Sequence, residues 1–176
     1  MDNLQIRRAM KEQRQSLTKE QITALSTAVY NNFLSLSITG KSAFIYKDFR
    51  GEVETANFIE YFKNQGAKIS YPLIDGENML AVIPTNSDFT ANSFGVEEPT
   101  DYVTIDDIDV AIIPLLACDK DKNRIGFGKG YYDRFLSNHP YLKIGICYDF
   151  QVLESVPVNN WDVPLDIIIT DKRIIK

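Results

Sequence analysis

An α/β fold with a single, mostly parallel sheet flanked by helices, open and Rossmann-like, is predicted for this chain on three observations. Short apolar segments rich in β-branched residues alternate with helical patterns along the sequence. Asp109–Leu116 is dense in Val, Ile and Leu, as a strand buried on both faces would be. No repeat, low-complexity tract or Pro/Gly-rich linker divides the 176 residues, so 1–176 reads as one domain.

The elements follow in order. Residues 3–15 are polar with helical spacing, and Thr18 with Gln21 then forms a capping box that opens a second helix. Ile22, Leu25, Val29, Phe33 and Leu36 give that helix one apolar face, with Gly40 placed to end it. Ser42–Tyr46 reads as a short buried strand. Glu52–Gln65 reads as a helix with Ala56, Ile59 and Phe62 on one side and Gly66 beyond its end. Lys68–Ile74 and Met79–Ile83 are strands about the turn Asp75-Gly76. Six carboxylates and no base fall between Glu97 and Asp109, which reads as a solvated loop. After the buried strand, Tyr131–Ser137 is a short helix, and Lys143–Tyr148 and Ile167–Thr170 are strands.

Composition excludes several classes. Nineteen Lys and Arg against 24 Asp and Glu leave a net charge of −5, so no nucleic-acid partner is expected. The longest apolar run, Val110 to Cys118 across Pro114, is about half a membrane span, so no membrane partner is expected either. The first residues carry no apolar signal core, and a cytoplasmic protein is expected. Cys118 and Cys147 lie far apart with no metal-ligand spacing. His139 is the one histidine, it precedes Pro140 at a helix end, and it offers no basis for a Ser/His/Asp or Cys/His machine.

Chemistry concentrates in Arg124-Ile-Gly-Phe-Gly-Lys-Gly-Tyr-Tyr-Asp133, where three of nine glycines fall within five residues between the strongest strand and a short helix. Such a loop brings backbone N–H groups close to a ligand, and Arg124 and Lys129 add positive charge, which suits phosphate. Asp133 just beyond could hold Mg²⁺ against phosphate oxygens. A P-loop would need Ser or Thr after Lys129, where Gly130 stands, and a dinucleotide fingerprint would need glycine at Tyr131. On spacing alone, the glycines fit a phosphate cradle or a tight strand-to-helix connection equally well.

Ile113 to Leu136 resembles the signature of the 5-formyltetrahydrofolate cyclo-ligase family, also called methenyltetrahydrofolate synthetases. Asp119, Arg124, Gly126, Gly128, Gly130, Tyr131, Tyr132, Asp133 and Arg134 match its pattern; Cys118 replaces the usual Phe and Ile125 the usual Leu. The resemblance runs along nearly the whole chain. Arg7-Arg-Ala-Met-Lys-Glu-Gln-Arg14 is similar to the basic first helix of the family, Phe49 to Thr55 to its Glu-x-x-Thr segment, and Phe94 to Pro99 to its Gly-Ile-x-Glu-Pro segment. Val156 to Asp162 and Leu165 to Thr170 are similar to its closing segment.

The resemblance implies ATP- and Mg²⁺-dependent closure of 5-formyltetrahydrofolate to 5,10-methenyltetrahydrofolate, with ADP and phosphate released. The implied ATP site comprises Asn3, Arg7, Arg124, Gly126, Phe127, Gly128, Lys129, Gly130, Tyr131 and Tyr132. The implied folate site comprises Glu52, Phe94, Phe127, Gly128, Lys129, Gly130 and Tyr131. Lys129 and Arg124 would be catalytic, and Asp133 with Asp166 would hold Mg²⁺. Folate polyglutamates belong to the same expected ligand class. Two positions depart from the family: Asn3 replaces a usual Lys, and Trp161 stands where many members have His, so no role for that His carries over. Both departures suit an alternative reading, a non-catalytic nucleotide- or folate-binding relative on the same fold. A sugar-phosphate or NAD-dependent Rossmann domain is a third reading, and the glycine spacing disfavours its NAD version.

Overall fold

Helix α1 (Asn3–Gln15) begins at Asp2, whose side chain accepts from the Gln5 N–H while the Gln5 side chain accepts from the Asp2 N–H. Thr18 and Gln21 form the predicted reciprocal pair at the start of α2 (Lys19–Leu34). A computed structural model describes residues 2–137 and 139–176 of the chain. On α2, Val29 and Phe33 are fully buried and Ile22 and Leu25 half-buried, which is the predicted face, and Leu36, just past the helix, is half-buried too. The helix ends before Gly40: Ser37 turns the chain with φ 51°, and the Ser37 N–H donates to the Leu34 carbonyl.

The main sheet is built from β1 (Ser42–Ile45), β2 (Lys68–Asp75), β3 (Asn78–Pro84), β6 (Tyr102–Thr104), β7 (Val110–Pro114), β10 (Leu142–Ile146), β11 (Ile167–Ile169) and β12 (Ile174–Ile175). Its order is β12-β11-β10-β7-β1-β2-β3-β6. The five central strands run parallel, with β1 set between β7 (Ala43 opposite Val110) and β2 (Ala43 opposite Ile69). Antiparallel strands close both edges, β12 on one side and β3 with β6 on the other. Two ribbons stand apart from this sheet: β4 (Phe89–Ala91) with β5 (Glu97–Pro99), and β8 (Ala117–Cys118) with β9 (Arg124–Ile125).

Alternation along the strands divides the core. Ile45 and Ile112 face α2 and α3 (Ala56–Asn64), where they meet Phe33, Phe58 and Phe62. Phe44, Ala111 and Ile113 face the other way, toward Phe135 and Leu136 of α4 (Tyr131–Leu136). Each such aromatic contributes about 1.5–3 kcal/mol by leaving water. Cys118 and Cys147 lie in this second layer with sulfurs 3.9 Å apart.

Two expectations are corrected. The predicted helix over 52–65 starts only at Ala56, because Asp48 accepts from both the N–H and the hydroxyl of Thr55 and holds the preceding residues as a loop. Glu52 is therefore a buried loop residue. The acidic stretch from Glu97 is also more than a solvated loop: it supplies β5 and β6, and Glu98 accepts from the Ile74 N–H and the Asn92 amide. No helix among the described residues is long and apolar enough to cross a membrane.

Candidate active site

Parallel strands leave their carboxyl ends open to a ligand. At that end of β1 and β7, Tyr46, Lys47 and Pro114 form part of the wall of a cavity of about 570 Å³. α1, the 49–52 loop, the β4–β5 ribbon, the glycine loop and the 157–162 segment complete it. Seven bases (Arg7, Lys11, Arg14, Lys47, Arg50, Arg124, Lys129) and four acids (Glu52, Glu98, Asp133, Asp162) line it. An otherwise acidic chain thus presents a basic concavity, which attracts anions.

The glycine loop is positioned from both ends. The β8–β9 ribbon delivers it, and Asp119 ties the ribbon down by accepting from the N–H groups of Asp121, Asn123 and Val156. The match at Asp119 is accordingly a scaffold feature. Gly128 has φ +101°, and a Cβ there would stand 3.2 Å from the Arg7 guanidinium carbon. Arg7 crosses from α1 to donate to the Gly126 carbonyl at 2.8 Å. Gly130 then enters α4 with φ +71°. Lys129 is exposed on the loop and makes no ion pair among the described residues.

Arg124 is buried beneath the loop, 2.8 Å from Asp133, with its guanidinium 5.5 Å from the Tyr132 ring centre. It fixes Asp133 while still contributing to the cavity wall. Burial and the neighbouring Glu52 push the Tyr132 phenol well above its ordinary range, so this ring is neutral packing. Phe127 projects half-exposed into the cavity, with Lys11 and Arg14 5.5 and 5.7 Å from its ring centre.

Phe94 of the β4–β5 turn meets Tyr131, the first residue of α4, edge-to-face at 6.3 Å. The Asn92 side chain shapes the turn that presents Phe94 by accepting from the N–H groups of Phe94 and Val96. Glu52 is also in the wall, its carboxylate accepting from the Phe49 N–H at 2.9 Å. Burial raises its pKa to about 7, and Arg14 and the Phe49 N–H hold it back from rising further.

Every residue of the expected ATP and folate sets therefore lines one cavity. The expected metal pair does not assemble. Asp133 is in the wall, but Asp166 precedes β11 at the amino ends of the strands, where it accepts from the Lys143 N–H at 2.7 Å and pairs with its ammonium at 3.2 Å. Asp162 also lines the cavity, its carboxylate accepting from the N–H and the side-chain amide of Asn159 at 2.7 and 3.2 Å, and the next residue, Val163, donates its N–H to Asp133 at 3.4 Å. No cluster of three or more His, Cys, Asp or Glu able to hold a metal occurs among the described residues. The Asp133 and Asp162 carboxylates in the wall are oxygen donors of the kind that fit a divalent cation completing its shell with other oxygen ligands. Sequence spacing also missed Arg14 and Trp161, both in the wall. Arg14 carried a signal as the third base on the α1 face of Arg7 and Lys11, and Trp161 carried one as a departure at a position where many members of the resembled family have His.

The sequence model of the 5-formyltetrahydrofolate cyclo-ligase family matches residues 2–171. The 5-formyltetrahydrofolate cyclo-ligase of Mycoplasma genitalium is 34% identical over 176 residues, covering 96% of this chain and 98% of that protein. The enzyme of the same name from Escherichia coli K12 is 26% identical over 178 residues, covering 94% and 98%. Among solved structures, a 5,10-methenyltetrahydrofolate synthetase from Mycoplasma pneumoniae superposes with a TM-score of 0.82 at 27% identity, over 97% of this chain and 99% of that one. The 5,10-methenyltetrahydrofolate synthetase of Aquifex aeolicus gives 0.84 at 30% identity, over 99% and 92%.

Proposed function

The chain belongs to the 5-formyltetrahydrofolate cyclo-ligase family, and on that premise we propose that it closes 5-formyltetrahydrofolate to 5,10-methenyltetrahydrofolate at the expense of ATP. The observation that carries this reading is a single cavity whose wall combines a basic glycine loop bearing an exposed lysine, an aromatic pair and a buried carboxyl group.

The formyl group on N5 is amide-like, and its oxygen is a poor leaving group. Attack of that oxygen on the γ-phosphorus, with the bond to ADP breaking, converts it into a phosphate ester. N10 then adds to the formyl carbon, its proton is lost, and the C–O bond breaks to release phosphate. The protein's task in this sequence is placement and charge screening. The N–H groups of the loop from Gly126 to Tyr132, together with Arg7 and Lys129, bind the phosphate chain. Lys129 faces the charge that develops on the transferred group. Phe94, Tyr131 and Phe127 provide apolar faces for the pterin, and Glu52 offers an acceptor to its amino edge. Arg124 acts by holding Asp133.

Asp133 and Asp162 would hold Mg²⁺, which when bound supplies charge neutralisation at the phosphate oxygens. The basic rim formed by Lys11, Lys47 and Arg50 suits the carboxylates of folate and of its polyglutamates, and we place the activity in the cytoplasm. The test is near-ultraviolet absorbance of methenyltetrahydrofolate formed from 5-formyltetrahydrofolate, Mg²⁺ and ATP. Product that requires both ATP and Lys129 is expected. Saturable binding of ATP or folate without product would instead identify a non-catalytic relative, a reading favoured by Asn3 at the usual lysine position.

A further inference from the structure

We infer that Arg14 is the positioning residue of the folate site: its buried guanidinium favours the ionised Glu52 carboxylate and leaves it only partly bonded in the cavity wall, where the donor edge of a pterin completes it. The inference rests on the ligase reading and extends it to a residue outside the phosphate loop.

Arg14 lies in the last turn of α1, at 2% exposure, and Glu52 in the loop before α3, at 7%. Theirs is the one ion pair among the described residues that is buried on both sides. Water is a better home for two such charges than a protein interior, and each loses several kcal/mol of hydration on burial. A pair kept for stability alone would be expected to bond fully. This one does not. Nη1 of Arg14 approaches Oε1 of Glu52 only to 3.6 Å, beyond hydrogen-bond range, and Nε of Arg14 is buried without a partner. Oε2 accepts from the Phe49 N–H, which leaves Oε1 attracted by charge and open to a donor.

The surroundings make Arg14 the source of that charge. Asp48 faces Glu52 from its own loop, Tyr46 from the end of β1 and Tyr132 from α4. Tyr148, just past β10, donates its hydroxyl to the Glu52 backbone carbonyl at 3.1 Å. None of these is a cation. The loop is also fitted to the helix at this point: Gly51 has φ +75°, and a Cβ there would meet the Arg14 carbonyl oxygen at 3.1 Å. Both side chains line the cavity. With Arg14 removed, burial would drive the carboxyl neutral, and its proton would then oppose the N–H donors that the carboxylate should accept.

The test reads Glu52 without a ligand and then with one. A ¹³C carboxyl titration, assigned by loss of the signal in Glu52→Gln, is run on the wild type, Arg14→Met and Arg14→Lys. The Met variant should raise the midpoint by a unit or more (roughly tenfold in proton affinity), and the Lys variant should restore most of that shift. Calorimetry with 5-formyltetrahydrofolate should show affinity reduced about tenfold near neutral pH in Arg14→Met, with its acid limb moved upward and ATP affinity unchanged. An unmoved midpoint in a folded variant, or equal loss of folate and ATP affinity, overturns the inference. If Arg14→Met does not fold, Arg14→Met/Glu52→Gln decides: a folded double variant traces the defect to the uncompensated carboxylate, and an unfolded one makes Arg14 a packing residue and overturns the inference. A wild type that binds no folate at any pH overturns the folate assignment, and the ligand-free titration still judges the coupling of the pair.

Discussion

Glu52 sets stability against function, and Glu52→Gln measures the conflict. The carboxyl titrates at about 7 in the folded chain, against an ordinary value of 4.5, because burial outweighs the help of Arg14 and the Phe49 N–H. A raised carboxyl pKa means that the fold prefers the neutral form. Its favourable contribution is complete below the unfolded value and is lost as pH rises through the folded one. The difference of about 2.5 units corresponds to a penalty on the order of 3 kcal/mol once the group is ionised near pH 8. Gln reproduces the shape and neutrality of the protonated acid. Glu52→Gln is therefore expected to match the wild type near pH 4, to gain between about pH 4.5 and 7, and to exceed it by roughly 3 kcal/mol at pH 8, about 8 °C in Tm for a chain of this size. Scanning calorimetry at those pH values reads the gap, while folate affinity at pH 8 should fall. A gap as large at pH 4 as at pH 8, or a wild type more stable than the variant at pH 8, would refute the reasoning.

Three further outcomes are expected. Lys129→Ala should lower kcat by about 10²–10³-fold, the usual loss for one charge-stabilising donor, with Tm nearly unchanged because the side chain is exposed and unpaired; retained turnover would remove Lys129 from the chemistry. Asp133→Asn and Asp162→Asn should each raise the Mg²⁺ concentration for half-maximal activity by about tenfold or more, whereas Asp166→Asn should leave it unaltered, and a reversed order would restore the pair expected from sequence. Trp161, the one tryptophan, is 72% exposed on the cavity wall beside Asp162. Its fluorescence should change saturably as ATP is added, and silence in the face of calorimetric ATP binding would place the nucleotide elsewhere.

The parallel sheet, the order of its strands and helices along the chain, and the glycine loop were legible in the sequence because each is written in neighbouring residues. Burial on both faces demands an unbroken run such as Val110–Pro114, and a loop that turns this tightly needs glycines at Gly128 and Gly130, where φ is positive. The resemblance, however, set Asp166 with Asp133, although Asp162 lies four residues earlier in the same strand-edge segment. The choice between them depends on where the segment turns onto the sheet: Asp162 is left at the cavity, and Asp166 is carried to Lys143 at the amino ends of the strands. The start of α3 was misjudged for a related reason, since the hydrogen bonds from Thr55 to Asp48 outcompete a helical pattern that would have included Glu52. The sequence by itself determined the fold class and the glycine loop, through periodicity and backbone freedom. Only the tertiary structure joined Arg14 to Glu52 and Asp133 to the Asp162 segment, because desolvation and charge act through space between residues that the chain keeps far apart.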